Sequence, residues 1–141
     1  MTDPDLNEPR PAPDGWVLQT RRANFAWHAG PFYFRKEGPA PGVGFFSEPH
    51  HANMGETVHG GALLTLADMS LFDTCHRKVG RFKAVTITLN TEFLAPAPVG
   101  AFIEASGEMI GGGKTILIVR GMVSAGGTPL MNYSGTLRRF E

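Results

Sequence analysis

The sequence lacks the features that mark several classes of protein. It has a single cysteine, Cys75, in 141 residues, which excludes an internal disulfide framework and a zinc site built from several cysteines. A reducing compartment is therefore expected. No apolar run approaches the ~18 residues that a membrane-spanning helix requires. We accordingly expect a cytoplasmic protein that does not interact with membranes.

The sequence also has no excess of charge of either sign. Thirteen lysines and arginines balance thirteen acidic residues, so the formal net charge is zero. A dedicated nucleic-acid binder needs a net basic surface, and nucleic acid is therefore excluded as a partner. Hydrophobic residues make up 42% of the chain, which is enough for a folded core. A neutral chain repels its own copies little, which permits self-association.

The length indicates one domain with a short N-terminal extension. Residues 1–13 contain three acidic residues, four prolines and no apolar core region, so they resemble neither a signal peptide nor a transit peptide. We expect residues 1–14 to form a flexible tail and residues 15–141 to form a single domain.

The hydrophobic pattern predicts one long helix and a run of antiparallel strands. Residues 60–77 carry apolar side chains around most of a helix, which predicts burial on nearly every side, with Gly80 at the C-terminal end. Residues 85–93 alternate apolar and polar side chains, which predicts a strand with one buried face. Residues 15–28 are ambiguous and permit a short outer helix. Further strands are predicted at 32–35, 43–47, 102–110, 115–124 and 130–140, with turns at 38–42, 111–113 and 126–127.

Two adjacent glycines, Gly60 and Gly61, begin the predicted helix. Each costs about 1 kcal/mol relative to alanine if it is helical, so some compensating role is expected. Without side chains, a ligand can approach the N–H groups of the first turn, where the helix dipole stabilises negative charge. The alternative explanation is steric, with the helix entering a tightly packed place.

Asp68 lies among apolar residues of the same helix. Such a carboxylate must be paired, hydrogen-bonded or raised in pKa, and a general base or nucleophile uses that kind of environment. A purely structural hydrogen bond is the alternative, while Asp73 is expected to be a solvated surface charge. His59 and Asp68 are nine residues apart, about 13 Å of rise and half a turn out of phase. A site that uses both ends would combine two subunits, most simply in a symmetric dimer.

Other candidate sites are rejected. Gly113-Lys114-Thr115 resembles the end of a phosphate-binding loop, but Glu108 stands where that loop needs glycine, and a strand follows. His50 and His51 have no second ligand pair, so we expect a surface loop there and no metal site. Cys75 is expected to be inert packing. Five basic residues are scattered in sequence, although strand ends could gather some of them at one rim: Lys83, Lys114, Arg120, Arg138 and Arg139.

One combination of residues is more specific. An asparagine stands six residues before His-Gly-Gly, and an aspartate follows nine residues after the histidine: Asn53, His59-Gly60-Gly61 and Asp68. This order and spacing resembles the PaaI-like acyl-CoA thioesterases of the hotdog-fold, or 4-hydroxybenzoyl-CoA thioesterase, superfamily. Segments 86–90 and 93–97 also resemble that family's long third strand and its exit. The resemblance covers roughly residues 30–139.

The resemblance implies an α+β hotdog fold, with a five- to six-stranded antiparallel sheet wrapped around one long buried helix. It implies that Gly60 N–H and Asn53 hold and polarise the thioester carbonyl, and that Asp68 of another subunit acts as general base or nucleophile. Thr86 would orient water, and His59 would organise the loop or border the thioester. Further substrate contacts are expected at Gly61, Leu64, Lys114 and Arg138.

The implied activity is hydrolysis of an acyl- or aryl-CoA thioester to CoA and a free acid in a homodimer or homotetramer. No metal or cofactor is expected beyond coenzyme A as part of the substrate. Two alternatives stay open. The first is a non-catalytic hotdog module that binds acyl-CoA, in which Asp68 is structural, and the second is a hotdog dehydratase acting on acyl thioesters.

Overall fold

The computed structural model describes residues 8–36 and 40–140 of the chain. Within them, seven strands form one sheet in the order β1-β2-β3-β5-β6-β7-β4, and every neighbouring pair is antiparallel. The sheet packs against one long helix, which confirms the predicted α+β hotdog architecture. The elements are β1 Trp16–Leu18, α1 Phe25–Ala29, β2 Tyr33–Arg35, β3 Val43–Phe46, α2 Gly60–Val79, β4 Lys83–Phe93, β5 Phe102–Gly112, β6 Ile116–Ala125 and β7 Thr128–Phe140.

The sheet has seven strands where five or six were expected. The additional strand is β1, in the segment whose pattern was ambiguous, and it pairs with β2 through Val17 opposite Phe34. Three residues are too few to show a period-2 pattern, so tertiary pairing decides this element. The short helix permitted in the same segment is α1. Residues 38 and 39 of the predicted turn at 38–42 lie outside the described residues.

Helix α2 is buried along one face. Its fully buried residues repeat at helical spacing: Leu63, Leu66, Ala67, Ser70, Leu71, Thr74 and Cys75. Leu64, Met69 and Phe72, on other sides of the helix, are only partly buried. The prediction of burial on nearly every side is confirmed in part, because residues 60–76 are all buried or partly buried, while residues 77–79 are exposed. The helix ends as predicted, at Gly80, where φ is 88° and the N–H bonds to the carbonyl of His76.

Two glycines let α2 lie close to the sheet. A Cβ at Gly135 would come within 2.5 Å of Leu71 Cδ1, and one at Gly121 would overlap the Tyr133 ring. The Tyr133 hydroxyl in turn lies 2.6 Å from Ser70 Oγ on the helix. Side chains at these glycines would push the helix or the Tyr133 ring away from the sheet.

Strand β4 lies at the edge of the sheet and pairs only with β7. Its pairing shifts register between Thr86 and Thr88, so Ile87 forms a bulge. A bulge exchanges the faces that later residues present. Val85 and Ile87 are therefore half exposed, while Thr86 and Leu89 are partly buried. The strand is confirmed, but the prediction that Val85 and Ile87 share a buried face with Leu89 is wrong.

The described part of the N-terminal segment contacts the sheet through Arg10. The carbonyl of Arg10 accepts a 2.5 Å hydrogen bond from the Tyr33 hydroxyl, and its guanidinium forms an ion pair with Glu48 at 2.9 Å. The guanidinium also lies 5.3 Å from the centre of the Phe46 ring. Of the predicted tail, residues 1–7 lie outside the described residues. No helix in the described ranges is long and apolar enough to cross a membrane.

Candidate active site

Asp68 and Thr86 connect the helix with the edge strand. Thr86 Oγ1 on β4 donates a 2.5 Å hydrogen bond to Asp68 Oδ1 on α2. Thr86 thus lies on the side of the strand that faces the helix, directly before the bulge at Ile87. Asp68 Oδ2 accepts no hydrogen bond from any described residue. One carboxylate oxygen is thus positioned by Thr86, and the other is able to accept a proton.

The N-terminus of α2 includes an N–H group that has no acceptor among the described residues. His59 is the N-cap residue, and its Nδ1 accepts a 2.8 Å hydrogen bond from Gly61 N–H. The His59 carbonyl accepts from Ala62 N–H. Gly60 N–H has no acceptor within the described ranges. Of the two glycines singled out in the sequence, only Gly60 therefore offers a donor to a ligand, at the positive end of the helix dipole.

Gly60 also lies in a closely packed position, as expected if a side chain there is excluded for steric reasons. A Cβ at this position would come within 3.0 Å of the Phe93 ring at the end of β4. The backbone of His59 is held in turn by a 2.7 Å hydrogen bond from its N–H to the carbonyl of His51. Tight packing and an accessible donor thus coincide at one residue.

The loop before α2 is shaped by Asn53. Its Oδ1 accepts hydrogen bonds from Gly55 N–H at 2.8 Å and Thr57 N–H at 3.2 Å, while Nδ2 donates to Thr57 Oγ1 at 3.0 Å. Asn53 is exposed, and its Nδ2 group has a second hydrogen for a ligand. The loop thus presents Asn53 at the same end of α2 as Gly60.

The two halves of the expected site lie apart in one chain. Asn53, His59 and Gly60 belong to the N-terminal end of α2, whereas Asp68 and Thr86 meet further along it. Gly60 and Asp68 are eight residues apart on the helix, which corresponds to about 12 Å of rise. Gly60 N–H and Asp68 therefore lie at separate places along the helix of one chain.

A cavity of about 470 Å³ lies beside Asp68, and sequence reasoning did not identify it. Its lining includes residues on a partly buried side of α2 and two residues from other segments: Phe34, Asp68, Met69, Phe72, Asp73, His76 and Arg81. The spacing of positions 68, 69, 72 and 76 marks one helical face. That spacing is visible in the sequence, but it is equally typical of core packing.

Asp73 in this cavity is not a solvated charge, contrary to prediction. Its side chain is 10% exposed, pairs with Arg77 Nε at 3.0 Å and accepts a 3.0 Å hydrogen bond from Gly42 N–H. Burial raises the pKa of Asp73, and the Arg77 guanidinium opposes that shift. The loop before β3 packs over the C-terminal half of α2, a contact that sequence spacing does not reveal.

Basic residues gather where β4 begins and β7 ends. A cavity of about 940 Å³ is lined there by four cations and two aromatic rings: Arg81, Lys83, Lys114, Arg139, Phe82 and Phe140, together with Thr115. Arg138 lies alongside, with its guanidinium 5.7 Å from the centre of the Phe140 ring. This cluster, which we call the basic rim, contains the two predicted contacts Lys114 and Arg138. Arg120 is elsewhere on β6 and pairs with Glu108 at 3.0 Å.

The other candidate residues from the sequence are held by core packing or by hydrogen bonds within the protein. Leu64 on α2 is partly buried against the core. His51 is buried, not on a surface loop: its Nε2 lies 2.6 Å from the carbonyl of Ala29, its Nδ1 accepts from Glu48 N–H, and burial lowers its pKa. Cys75 is buried, which raises its thiol pKa to about 11 and suits inert packing. Across the described residues, no cluster of three or more His, Cys, Asp or Glu is arranged for a metal ion.

Comparisons with solved structures agree with this architecture. The TT0310 protein from Thermus thermophilus is 23% identical, with a TM-score of 0.73 over 85% of this chain and 100% of that one. The PaaI protein of the phenylacetic acid degradation operon of E. coli is 18% identical, with a TM-score of 0.75 over 84% of this chain and 86% of that one. These likenesses establish the fold.

A third similar structure contains a ligand. The smu.793 protein from Streptococcus mutans, solved bound to acetyl CoA, is 21% identical, with a TM-score of 0.64 over 74% of this chain and 83% of that one. No curated protein is significantly similar in sequence. The thioesterase superfamily profile, however, matches residues 55–131. That match spans more than half of the chain and includes the helix that carries Gly60 and Asp68, so the protein belongs to the thioesterase superfamily.

Proposed function

We propose that the protein hydrolyses an acyl- or aryl-CoA thioester to CoA and a free carboxylic acid, at a site shared between two copies of the chain. The observation that carries the proposal is the Asp68 carboxylate, held by Thr86 at 2.5 Å and facing a cavity of about 470 Å³. Membership of the thioesterase superfamily supports the reaction class.

The chemistry needs a base or nucleophile and a donor for the developing oxyanion. As a base, Asp68 takes a proton from water, whose oxygen adds to the thioester carbonyl carbon. As a nucleophile, Asp68 attacks that carbon itself, and water then hydrolyses the resulting anhydride. In both routes Gly60 N–H donates to the oxyanion, the C–S bond breaks, and the CoA thiolate leaves and takes up a proton.

The distance between Gly60 and Asp68 is the reason for proposing a shared site. Gly60 packs against Phe93 near one end of β4, and Asp68 bonds to Thr86 near the other end. The outer edge of β4 is unpaired in the described chain, with Val85 50%, Ile87 49% and Phe93 55% exposed. An antiparallel pairing of two β4 edges centred between Leu89 and Asn90 puts Thr86 of one copy opposite Phe93 of the other. Asp68 of one copy then approaches Gly60 of the second.

Three cations of the basic rim, other than Arg81, are the proposed contacts for the phosphates of CoA. One cavity close to the start of β4 is lined by Lys83, Lys114 and Arg139. Lys83 is three residues before Thr86 on that strand. Cations at this distance attract a polyanionic nucleotide to the site without making the whole protein basic. The Streptococcus mutans protein of similar fold, bound to acetyl CoA, supports a CoA ligand.

Thiol release from a panel of acyl- and aryl-CoA esters tests the reaction. Wild-type protein should release CoA from at least one ester, and Asp68→Ala should not. Binding of the esters without turnover by the wild type would instead indicate the non-catalytic module.

Subunit mixing tests the shared site. Asn53→Ala and Asp68→Ala proteins should each be inactive, and a randomly exchanged mixture should recover about a quarter of wild-type activity, because half of the dimers then hold one intact site of two. Native mass spectrometry confirms that mixed dimers form. Mixed dimers without recovered activity would show that each site is built within one chain.

A further inference from the structure

The cavity beside Asp68 runs along a partly buried side of α2 toward its C-terminal end. Met69 and Phe72 are on the helix, and Phe34 of β2 lies across from them. These three partly buried side chains form apolar walls that suit the hydrocarbon part of an acyl group. The cavity extends from Asp68 to His76, eight residues along the helix, or about 12 Å.

The end of the cavity away from Asp68 is polar and contains one arginine. Arg81 lines it beside His76, whose ring lies 4.5 Å from that of Phe82, with its Nε2 3.4 Å from the Phe82 carbonyl. Asp73 is the acidic group at this end, but Arg77 and Gly42 N–H already satisfy its carboxylate. Arg81 itself forms no ion pair or hydrogen bond with any described residue. An anion at this end would therefore meet an uncommitted guanidinium, while the nearby carboxylate is already neutralised.

We propose that the acyl group of the substrate carries a carboxylate at its distal end, so that the substrate is a monothioester of CoA with a dicarboxylic acid. The thioester lies at Asp68, the hydrocarbon part contacts Phe34, Met69 and Phe72, and Arg81 binds the distal carboxylate. A guanidinium is the side chain best suited to such a bidentate contact. This inference rests on the proposed function, because it assigns the acyl part of the same substrate.

Arg81 also lines the basic rim, so the same cation could bind a CoA phosphate instead. Non-hydrolysable thioethers separate the two roles. Calorimetry would compare S-alkyl-CoA with S-(ω-carboxyalkyl)-CoA of equal chain length, over chains of about four to eight carbons, with free CoA as reference. Wild-type protein should bind the carboxylated thioether about tenfold more tightly at the best length, since a hydrogen bond to a charged group contributes on that order.

Arg81→Met should remove this preference and leave the affinity for S-alkyl-CoA within about threefold, whereas Arg81→Lys should retain part of it. Lys78→Met is the matched control, because Lys78 is an exposed cation of the last turn of α2 outside this cavity, and it should change neither affinity. Equal loss for both thioethers and for free CoA in Arg81→Met would assign Arg81 to a phosphate and overturn the inference. Equal wild-type affinity for the two thioethers at every length would also overturn it.

The outcome is independent of turnover. If the wild type prefers the carboxylated thioether but hydrolyses no thioester, the assignment of the cavity stands and the proposed hydrolysis fails. If the wild type hydrolyses neutral and carboxylated acyl-CoA esters equally fast and binds the two thioethers equally tightly, the proposed hydrolysis stands and the assignment of the cavity fails.

Discussion

The hydroxyl of Thr86 donates to the carboxylate of Asp68 at 2.5 Å, joining the edge strand β4 to a partly buried side of α2. The bulge at Ile87 follows directly, so the residues beyond it present their side chains to the opposite faces. The hydrogen bond from Thr86 positions one carboxylate oxygen and leaves the other without a partner among the described residues. Both the proposed hydrolysis and the proposed acyl site depend on this pair.

Replacing Asp68 with asparagine should abolish turnover while preserving the fold. The amide oxygen can still accept from Thr86, but it can neither take a proton from water nor attack the thioester. A loss in kcat of about 100-fold to 10,000-fold is expected for a positioned acid or base. Steady-state thiol release gives kcat, and thermal unfolding gives the control. A variant within about threefold of wild-type kcat would show that Asp68 is structural.

Removing the Thr86 hydroxyl should lower kcat with little change in stability. Thr86→Val keeps the side-chain shape but leaves Asp68 without its positioning donor, and a loss of about tenfold is expected for one hydrogen bond to a charged group. Thr86→Ser retains the hydroxyl and should restore most of the activity. Equal kcat in Thr86→Val and Thr86→Ser would show that the Thr86 hydroxyl does not contribute to catalysis.

A charge on the free edge of β4 should prevent self-association and activity together. Ile87→Lys places an ammonium group at a 49% exposed apolar position of the proposed interface. Ile110→Lys is the matched control, because Ile110 on β5 is also 49% exposed. Light scattering after size-exclusion chromatography should show monomers only for Ile87→Lys, and its thiol release should fall to background. An active Ile87→Lys monomer would contradict the shared site.

Acidification should destabilise the protein through His51. Burial lowers the pKa of His51 below its ordinary value of 6.5, and the hydrogen bond from its ring to the Ala29 carbonyl opposes that shift without cancelling it. Since the folded pKa is the lower one, this contribution to stability is complete above pH 6.5 and is lost as the pH falls through the folded pKa.

Melting temperatures between about pH 7.5 and pH 5, a range that spans the ordinary titration of histidine, provide the measurement of this effect. The wild type should lose more of its melting temperature on acidification than His51→Gln does, although His51→Gln starts from a lower value. His50→Gln, which changes the exposed neighbour, should follow the wild type. Parallel curves for the wild type and His51→Gln would exclude His51 as the cause.

Local signals in the sequence were sufficient for many elements. The helix start at Gly60 and its end at Gly80 follow from the glycines and the apolar pattern between them. The turn at Gly126 and Gly127 was predicted from the two glycines. In the structure both have positive φ, 55° and 84°, a backbone conformation that favours glycine. These features depend on a few consecutive residues, so they are predictable without tertiary contacts.

Contacts between distant segments were not predictable in the same way. The loop before β3 buries Asp73, and the His51 ring forms a hydrogen bond with the carbonyl of Ala29. Their neighbours in sequence nevertheless predict surface positions for both Asp73 and His51. The cavity next to Asp68 needs Phe34 of β2 and Arg81 after α2, which are 34 and 13 residues away from it in sequence. No periodicity links such positions.

The fold class, the family resemblance and the order of Asn53, His59-Gly60-Gly61 and Asp68 all follow from the amino-acid sequence. Which of these residues meet depends instead on the pairing of distant segments. At the bulge at Ile87 the buried face of β4 changes, so Val85 and Ile87 are half exposed, while Thr86, which bonds to Asp68, and Leu89 are partly buried. The physical reason is that a strand's faces alternate with every residue, so one inserted residue, fixed by pairing with a distant strand, exchanges what is buried and what is exposed.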